Sequence, residues 1–204
     1  MDSSRVDLPF PTTRVLVVSD FNCPYCFTLN EWLEDIGAGA RVRWVGIEHR
    51  PDLPHHGPNK EPDVDTLARE VADVQDRAPE VQVVRPDSWQ NSRSALLVQN
   101  ALEDDDPELA HRVRATIFRR YWQQDGEMSE QVVAEALAEH GLVEPEPEPD
   151  HLAELTSWWK AALDRVPCML APTGVVHRGL QDFQAVRSFV NSALHSAGEG
   201  PGCR

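Results

Sequence analysis

Two cysteines stand three positions apart in the stretch SDFNCPYCFTLNEWL, residues 19–33. Cys23 and Cys26 enclose Pro24 and Tyr25. Two thiols at this spacing can exchange a disulfide, form half of a metal site, or pack as two small core residues. Their position favours the first. Pro24 suits the first position of a helix, where its missing N–H would have no partner in any case. Cys23 is then the cap residue, with its sulfur toward unpaired backbone N–H groups and the positive end of the helix dipole. Those features favour the thiolate, which is the nucleophilic form. Cys26 lies one turn further on, on the same face but toward the core. The pattern predicts an exposed attacking sulfur at Cys23. At Cys26 it predicts a sheltered resolving sulfur, placed to break a mixed disulfide.

A metal site is the main rival. Structural zinc usually takes a second ligand pair, and the chain has no second CxxC. His55 and His56 are adjacent in a loop rich in proline and glycine, and with His49 they are expected to be solvent-exposed loop histidines. No metal ligand set and no organic cofactor is assigned. Asp20, three residues before Cys23, is either a turn former or a group that orients the loop or relays a proton to Cys26.

The elements that must position these residues can be read from periodicity. RVLVVS (14–19) is a short β-branched run that suits a buried strand. Cys26, Leu29, Leu33 and Ile36 then line one helical face. GAG (37–39) ends that helix, and RVRWVGI (41–47) alternates as a second strand. Strand, helix and strand with short connections predict parallel strands and a right-handed crossover. Helices are expected over 64–77, 91–103, 107–123, 129–140 and 151–164. EPEPEPD (144–150) is expected to be an extended spacer, and EDDDPE (103–108) a solvated helix junction. VPCML (166–170) and VVHRG (175–179) form a hairpin signal with Gly174 in the turn. Asp182 is placed to cap a last helix with an apolar stripe from Phe183 to Leu194. The expected division is a core of 1–50 and 166–204 with an insertion of 51–165.

Composition narrows the function classes. Among 204 residues, 41% are hydrophobic and 26% charged, as in a soluble globular protein. The formal net charge of −15 repels phosphate backbones and anionic lipid, which argues against nucleic-acid and membrane-surface roles. The early apolar run 15–18 is too short for a signal core or a membrane span, so a cytoplasmic protein is expected. Four cysteines, at 23, 26, 168 and 203, do not make a secreted-type disulfide framework in a chain this long.

SDFNCPYC (19–26), RPDSWQNSRSALL (85–97), VPCM (166–169) and GLQDFQAVRSF (179–189) together resemble the DsbA-like disulfide oxidoreductases. The resemblance is to their FrnE-like branch in particular, which is related to 2-hydroxychromene-2-carboxylate isomerases and kappa-class glutathione transferases. It implies an α/β thioredoxin-like fold, βαβ then ββα, with a large all-helical insertion. It further implies a cis Val166–Pro167 bond, with Pro167 packed against the CxxC sulfurs and the Val166 backbone pairing with substrate. Pro24 and Tyr25 would help set the reduction potential. The implied partner is a disulfide- or thiol-containing protein or a low-molecular-weight thiol, with no nucleic acid and no membrane.

The related isomerases and transferases generally place a serine at the helix start, so Cys23 and Cys26 depart from that chemistry. A glutathione-dependent isomerase or transferase stands as one alternative, and a redox-sensing or zinc-binding regulatory module as another. Strand alternation should turn Cys168 into the core, away from the site faced by its neighbour. Cys203 is expected to be an exposed bystander on the tail. Trp44, Trp89, Trp122, Trp158 and Trp159 are expected mostly to pack in the core.

Overall fold

The computed structural model describes residues 5–54, 64–124 and 126–198. The chain runs β1 (Leu16–Ser19), α1 (Pro24–Asp35) and β2 (Arg43–Gly46). Helices α2 (Val64–Arg77), α3 (Arg93–Asp105), α4 (Pro107–Gln123), α5 (Glu130–Glu139) and α6 (Pro149–Ala162) follow. Strands β3 (Cys168–Leu170) and β4 (Val176–Arg178) and helix α7 (Phe183–Gly198) complete it. The sheet order is β2-β1-β3-β4. β1 and β2 are parallel, and the other two pairings are antiparallel. This is the expected α/β arrangement, βαβ and ββα around a set of helices.

Alternation along the strands divides the core into two layers, because successive side chains leave opposite faces of a sheet. Val15, Val17, Trp44 and Met169 join the cluster beneath α1 and the helices stacked on it. Leu16, Val18, Val45, Cys168 and Leu170 face the other way, against Leu155 and Trp159 of α6. The N-terminal segment supplies Val6, Leu8 and Phe10 to that second layer. β1 is buried along its whole length, as a central strand covered on both faces must be.

Local signals account for most element ends. Cys23 is the N-cap of α1 in extended conformation, with Pro24 in the first turn. Gly37, at φ +65°, ends that helix in the left-handed conformation that glycine adopts without penalty. Gly174 closes the β3–β4 hairpin at φ +81°, where an added Cβ would lie 2.8 Å from the Val6 carbonyl oxygen. The Asp182 carboxylate accepts the Ala185 amide at 2.8 Å and caps α7.

Two expectations need correction. The extended spacer is shorter than 144–150, because α6 begins at Pro149. Proline is well suited to a first helical turn, so the final Pro-Asp pair opens the helix. The acidic run 103–108 is not uniformly solvated either. Asp104 and Asp105 are exposed and Asp106 caps α4, but Glu103 is buried.

Glu103 is drawn inward by cations. Its carboxylate lies 3.1 Å from Arg14 and 3.7 Å from the buried Arg114, and accepts the Gln99 amide at 2.9 Å. Arg114 also donates to Asn30 and to the Gly39 carbonyl, and lies over the Trp44 ring at 4.2 Å. Burial raises the Glu103 carboxyl to about 7 against the pull of Arg114 and Arg14. Burial likewise lowers Arg114 to about 9, opposed by Glu103, and leaves the guanidinium charged at neutral pH. The folded chain therefore holds the Glu103 proton more tightly than the unfolded chain does. That contribution to stability is present below the ordinary carboxyl value and is lost as pH rises through about 7.

Arg114→Met should lower stability by about 3 kcal/mol at pH 8, because it leaves Glu103 charged and short of a partner. The loss should be smaller at pH 5.5, where Glu103 is protonated. Urea unfolding at the two pH values measures both. An equal loss at both would assign the penalty to packing on Trp44 instead.

Candidate active site

The CxxC sits where β1 ends and α1 begins. Asp20 to Asn22 bridge the two elements, and the Cys23 amide donates to the Asp20 carbonyl at 3.3 Å. The Cys23 carbonyl accepts the amides of Cys26 and Phe27, both at 3.1 Å, and so starts the helix. Cys23 and Cys26 approach to 3.3 Å, and both thiols are free.

Cys23 is not the exposed sulfur that its sequence position suggests. It is 2% exposed, and Cys26 is 0%. The inserted segment explains the difference, because it grips each residue of the preceding loop. Ser92 hydrogen-bonds the Asp20 carboxylate. Trp122 donates its indole N–H to the Phe21 carbonyl at 2.9 Å, and the Phe21 ring lies 4.7 Å from that of Phe118. The Asn22 amide donates to the Gln90 carbonyl at 3.0 Å. Drawn into that interface, the cap residue is covered. Nor does Cys23 make a side-chain cap hydrogen bond to the helix amides; it lies close to Cys26 instead. Burial raises the Cys26 thiol well above its usual range, reinforced by the nearby Cys23 side chain and by the Cys23 and Asp20 charges. The Asp20 backbone opposes this in part.

Tyr25 connects the motif to the insertion. Its hydroxyl donates to Asp73 of α2 at 2.9 Å, and Arg77 holds the same carboxylate at 2.8 Å. Arg77 also reaches the Leu180 carbonyl ahead of α7 at 3.2 Å. Burial and the Asp73 contact raise the Tyr25 phenol above its ordinary value.

Asp20 and His49 depart further from simple expectation. Asp20 is 1% exposed and its carboxylate accepts four hydrogen bonds. One comes from the His49 imidazole, whose Nδ1 is 2.8 Å away. His49 is therefore not a solvent-exposed loop histidine: its side chain is 16% exposed and hydrogen-bonded to Asp20. The topology explains this. β1 and β2 are parallel, with Ser19 opposite Gly46, so both strands leave the sheet at the same end. The residues after Gly46 must then run beside those after Ser19, a signal available from the βαβ reading. Ser92 carried no comparable signal, since it arrives from 72 residues away. His55, His56 and Cys203 lie outside the described residues.

The Val166–Pro167 bond is cis. Val18 pairs with Cys168 in the antiparallel β1–β3 ladder, and that register brings Pro167 opposite Ser19, beside the loop leading to Cys23. Val166 is half-buried and packs against both core layers. Cys168 points to the opposite layer from the CxxC and is 1% exposed. Its thiol bonds the Arg165 carbonyl, and burial raises its pKa. Trp44, Trp89, Trp122 and Trp159 are buried in the core, and Trp158 is half-buried. Among the described residues no three His, Cys, Asp or Glu side chains gather to hold a metal ion. Among those residues no helix is long and apolar enough to cross a membrane.

Comparison with known proteins agrees with this architecture. Residues 14–149 match the DSBA-like thioredoxin domain, and the chain belongs to that family. A probable DsbA oxidoreductase from Streptomyces coelicolor superposes with a TM-score of 0.70 at 13% identity, covering 94% of this chain and 92% of its own. The catalytic domain of Proteus mirabilis ScsC gives 0.51 at 14% identity, covering 94% and 88%. A periplasmic thioredoxin-like protein from Salmonella enterica serovar Typhimurium gives 0.51 at 12%, covering 94% and 89%. At these identities the likeness is one of fold. No curated protein matches the chain.

Burial orders the three described thiols. Iodoacetamide on the native reduced protein should modify Cys23 before either Cys168 or Cys26. Peptide mass spectrometry of a time course shows the order. Cys26 or Cys168 reacting first would contradict it.

Proposed function

We propose that the protein is a thiol–disulfide oxidoreductase in which Cys23 attacks and Cys26 resolves. The observation that supports this reading best is the free dithiol at the start of α1, 3.3 Å apart, inside a DSBA-like thioredoxin domain. In the reducing direction, the Cys23 thiolate attacks a substrate disulfide, forms a mixed disulfide and releases one substrate thiolate. Cys26 then loses its proton, and its thiolate attacks the Cys23 sulfur. An intramolecular disulfide forms, the second substrate thiolate leaves, and two electrons have passed to the substrate. The reverse sequence oxidises a dithiol.

The roles divide by position. Cys23 stands at the helix terminus, where the helix dipole favours a thiolate in the mixed-disulfide step. Cys26 is the more buried sulfur, with a raised pKa, which suits a thiol kept protonated until a mixed disulfide is beside it. Pro24 and Tyr25 shape the turn between the sulfurs. Asp20 supports the loop, and the backbone at Val166 pairs with the substrate chain while Pro167 packs beside the dithiol. Cys23 is covered in this reduced form, so engaging a protein disulfide requires local opening around it. Substrates are disulfide-containing proteins or low-molecular-weight disulfides, with an external thiol system closing the cycle.

A coupled assay of protein-disulfide reduction tests the assignment. Cys23→Ser should reduce turnover to the uncatalysed background, and Cys26→Ala should accumulate mixed disulfides through Cys23. Turnover surviving in Cys23→Ser would reverse the roles. Replacing Cys168 and Cys203 together with Ala should leave activity within about tenfold of the parent, or 1.4 kcal/mol in the transition state. A larger loss in a folded protein would make one of them a participant.

A further inference from the structure

The exchange steps above leave one buried polar group without a task. The Asp20 carboxylate accepts the Ser92 hydroxyl and the Asn22 amide (3.4 Å) on Oδ1. Its Oδ2 accepts both the backbone amide of His49 (2.9 Å) and the imidazole Nδ1 (2.8 Å). A carboxylate 1% exposed and fixed by four donors has a single orientation. The same residue reaches the dithiol through its backbone: its carbonyl accepts the Cys23 amide at 3.3 Å, and Cys23 in turn approaches Cys26 to 3.3 Å. A fixed negative charge thus stands on the loop that leads into the dithiol, where the resolving thiol must itself become negative.

We infer that His49 is a positioning residue of the dithiol centre: it holds and offsets the Asp20 carboxylate, and thereby sets how readily Cys26 gives up its proton in the resolving step. The inference rests on the assignment of Cys26 as the resolving thiol.

The physical argument is short. Cys26 has no exposed surface, so water cannot screen its thiolate from the Asp20 charge. That charge is one of the causes that raise the Cys26 pKa. A hydrogen bond from His49 draws charge density away from Cys26, and a second from its backbone fixes the carboxylate in place. Few other charges compete for the pair. Cys23 and Cys26 face it from α1, and Tyr121 of α4 is close enough to feel Asp20. After β2, Arg50 lies over the Trp89 ring, and Glu48 is paired with Arg93 of α3. In the resolving step the Cys26 proton passes to bulk base, its electron pair forms the new S–S bond, and the departing sulfur takes up a proton in its place.

An aromatic disulfide probe, 5,5′-dithiobis(2-nitrobenzoate), separates the steps. Attack by Cys23 releases one coloured thiolate, and resolution by Cys26 releases the second. Measurements use protein with Cys168 and Cys203 replaced by Ala. His49→Ala should shift the pH midpoint of the second release upward by about half a unit, slowing it about threefold at neutral pH. Asp20→Asn should shift it downward, and His49→Ala added to Asp20→Asn should have no further effect. His49→Asn, which keeps a donor near the carboxylate, should restore much of the parent profile. It also serves if the alanine variant does not fold.

Thiolate absorbance near 240 nm, titrated in the Cys23→Ala variant, reads Cys26 without any turnover and should shift in the same directions. If both His49 variants lower stability but leave the profile and the titration unchanged, His49 is structural and the inference fails. If the parent releases no second thiolate, the resolving assignment fails, and the titration still decides whether His49 acts on Cys26.

Discussion

Residues 20–22 are where the sheet, the CxxC helix and the inserted helices are joined, and the other features of the site depend on that junction. Asp20 is bound by His49 and Ser92, Phe21 by Trp122, and Asn22 by Gln90. The insertion thus grips the chain immediately ahead of Cys23 at three successive residues. Buried polar groups are costly unless satisfied, so these bonds define one arrangement of the loop and exclude slack alternatives. Without the grip, Cys23 would stand at an open helix start. With it, both sulfurs are covered and held together.

The junction also explains the placement of charge. The chain carries a net charge of −15, yet two of its carboxylates, Asp20 and Glu103, are buried on the α1 side of the sheet. Glu103 is matched by Arg114 and Arg14 and stabilises the packing of α3 and α4 over Trp44. Asp20 is matched by hydrogen-bond donors, His49 among them, just ahead of the CxxC sulfurs. The first arrangement is neutralised by full cations. The second is held by four hydrogen bonds on the loop that leads into the CxxC.

The two-layered core keeps the remaining thiol apart. Alternation along β3 places Met169 with α1 and turns Cys168 toward α6, on the far side of the sheet from the CxxC. Proximity of Cys168 to Pro167 in sequence is therefore no guide to proximity of its sulfur to the dithiol. The Tyr25–Asp73–Arg77–Leu180 chain makes the complementary connection, joining the motif to α2 and to the segment ahead of α7. The loop residues and the residue between the cysteines are thus anchored independently.

Local interactions made much of this legible in the sequence. Pro24 after Cys23 marked the start of α1, Gly174 the hairpin turn and Asp182 the final cap, because each depends on neighbours within a few residues. Strand alternation likewise turned Cys168 away from the site, since the direction of a side chain follows from the pleat. Burial of Cys23, the pairing of His49 with Asp20 and the burial of Glu103 were decided by tertiary structure. Each depends on partners brought from another element: Gln90 and Trp122 on the loop, β2 beside β1, and Arg114 beneath α3. A cap position tells where a sulfur sits on its own helix. Only the packing of distant segments around that helix end decides whether water reaches it.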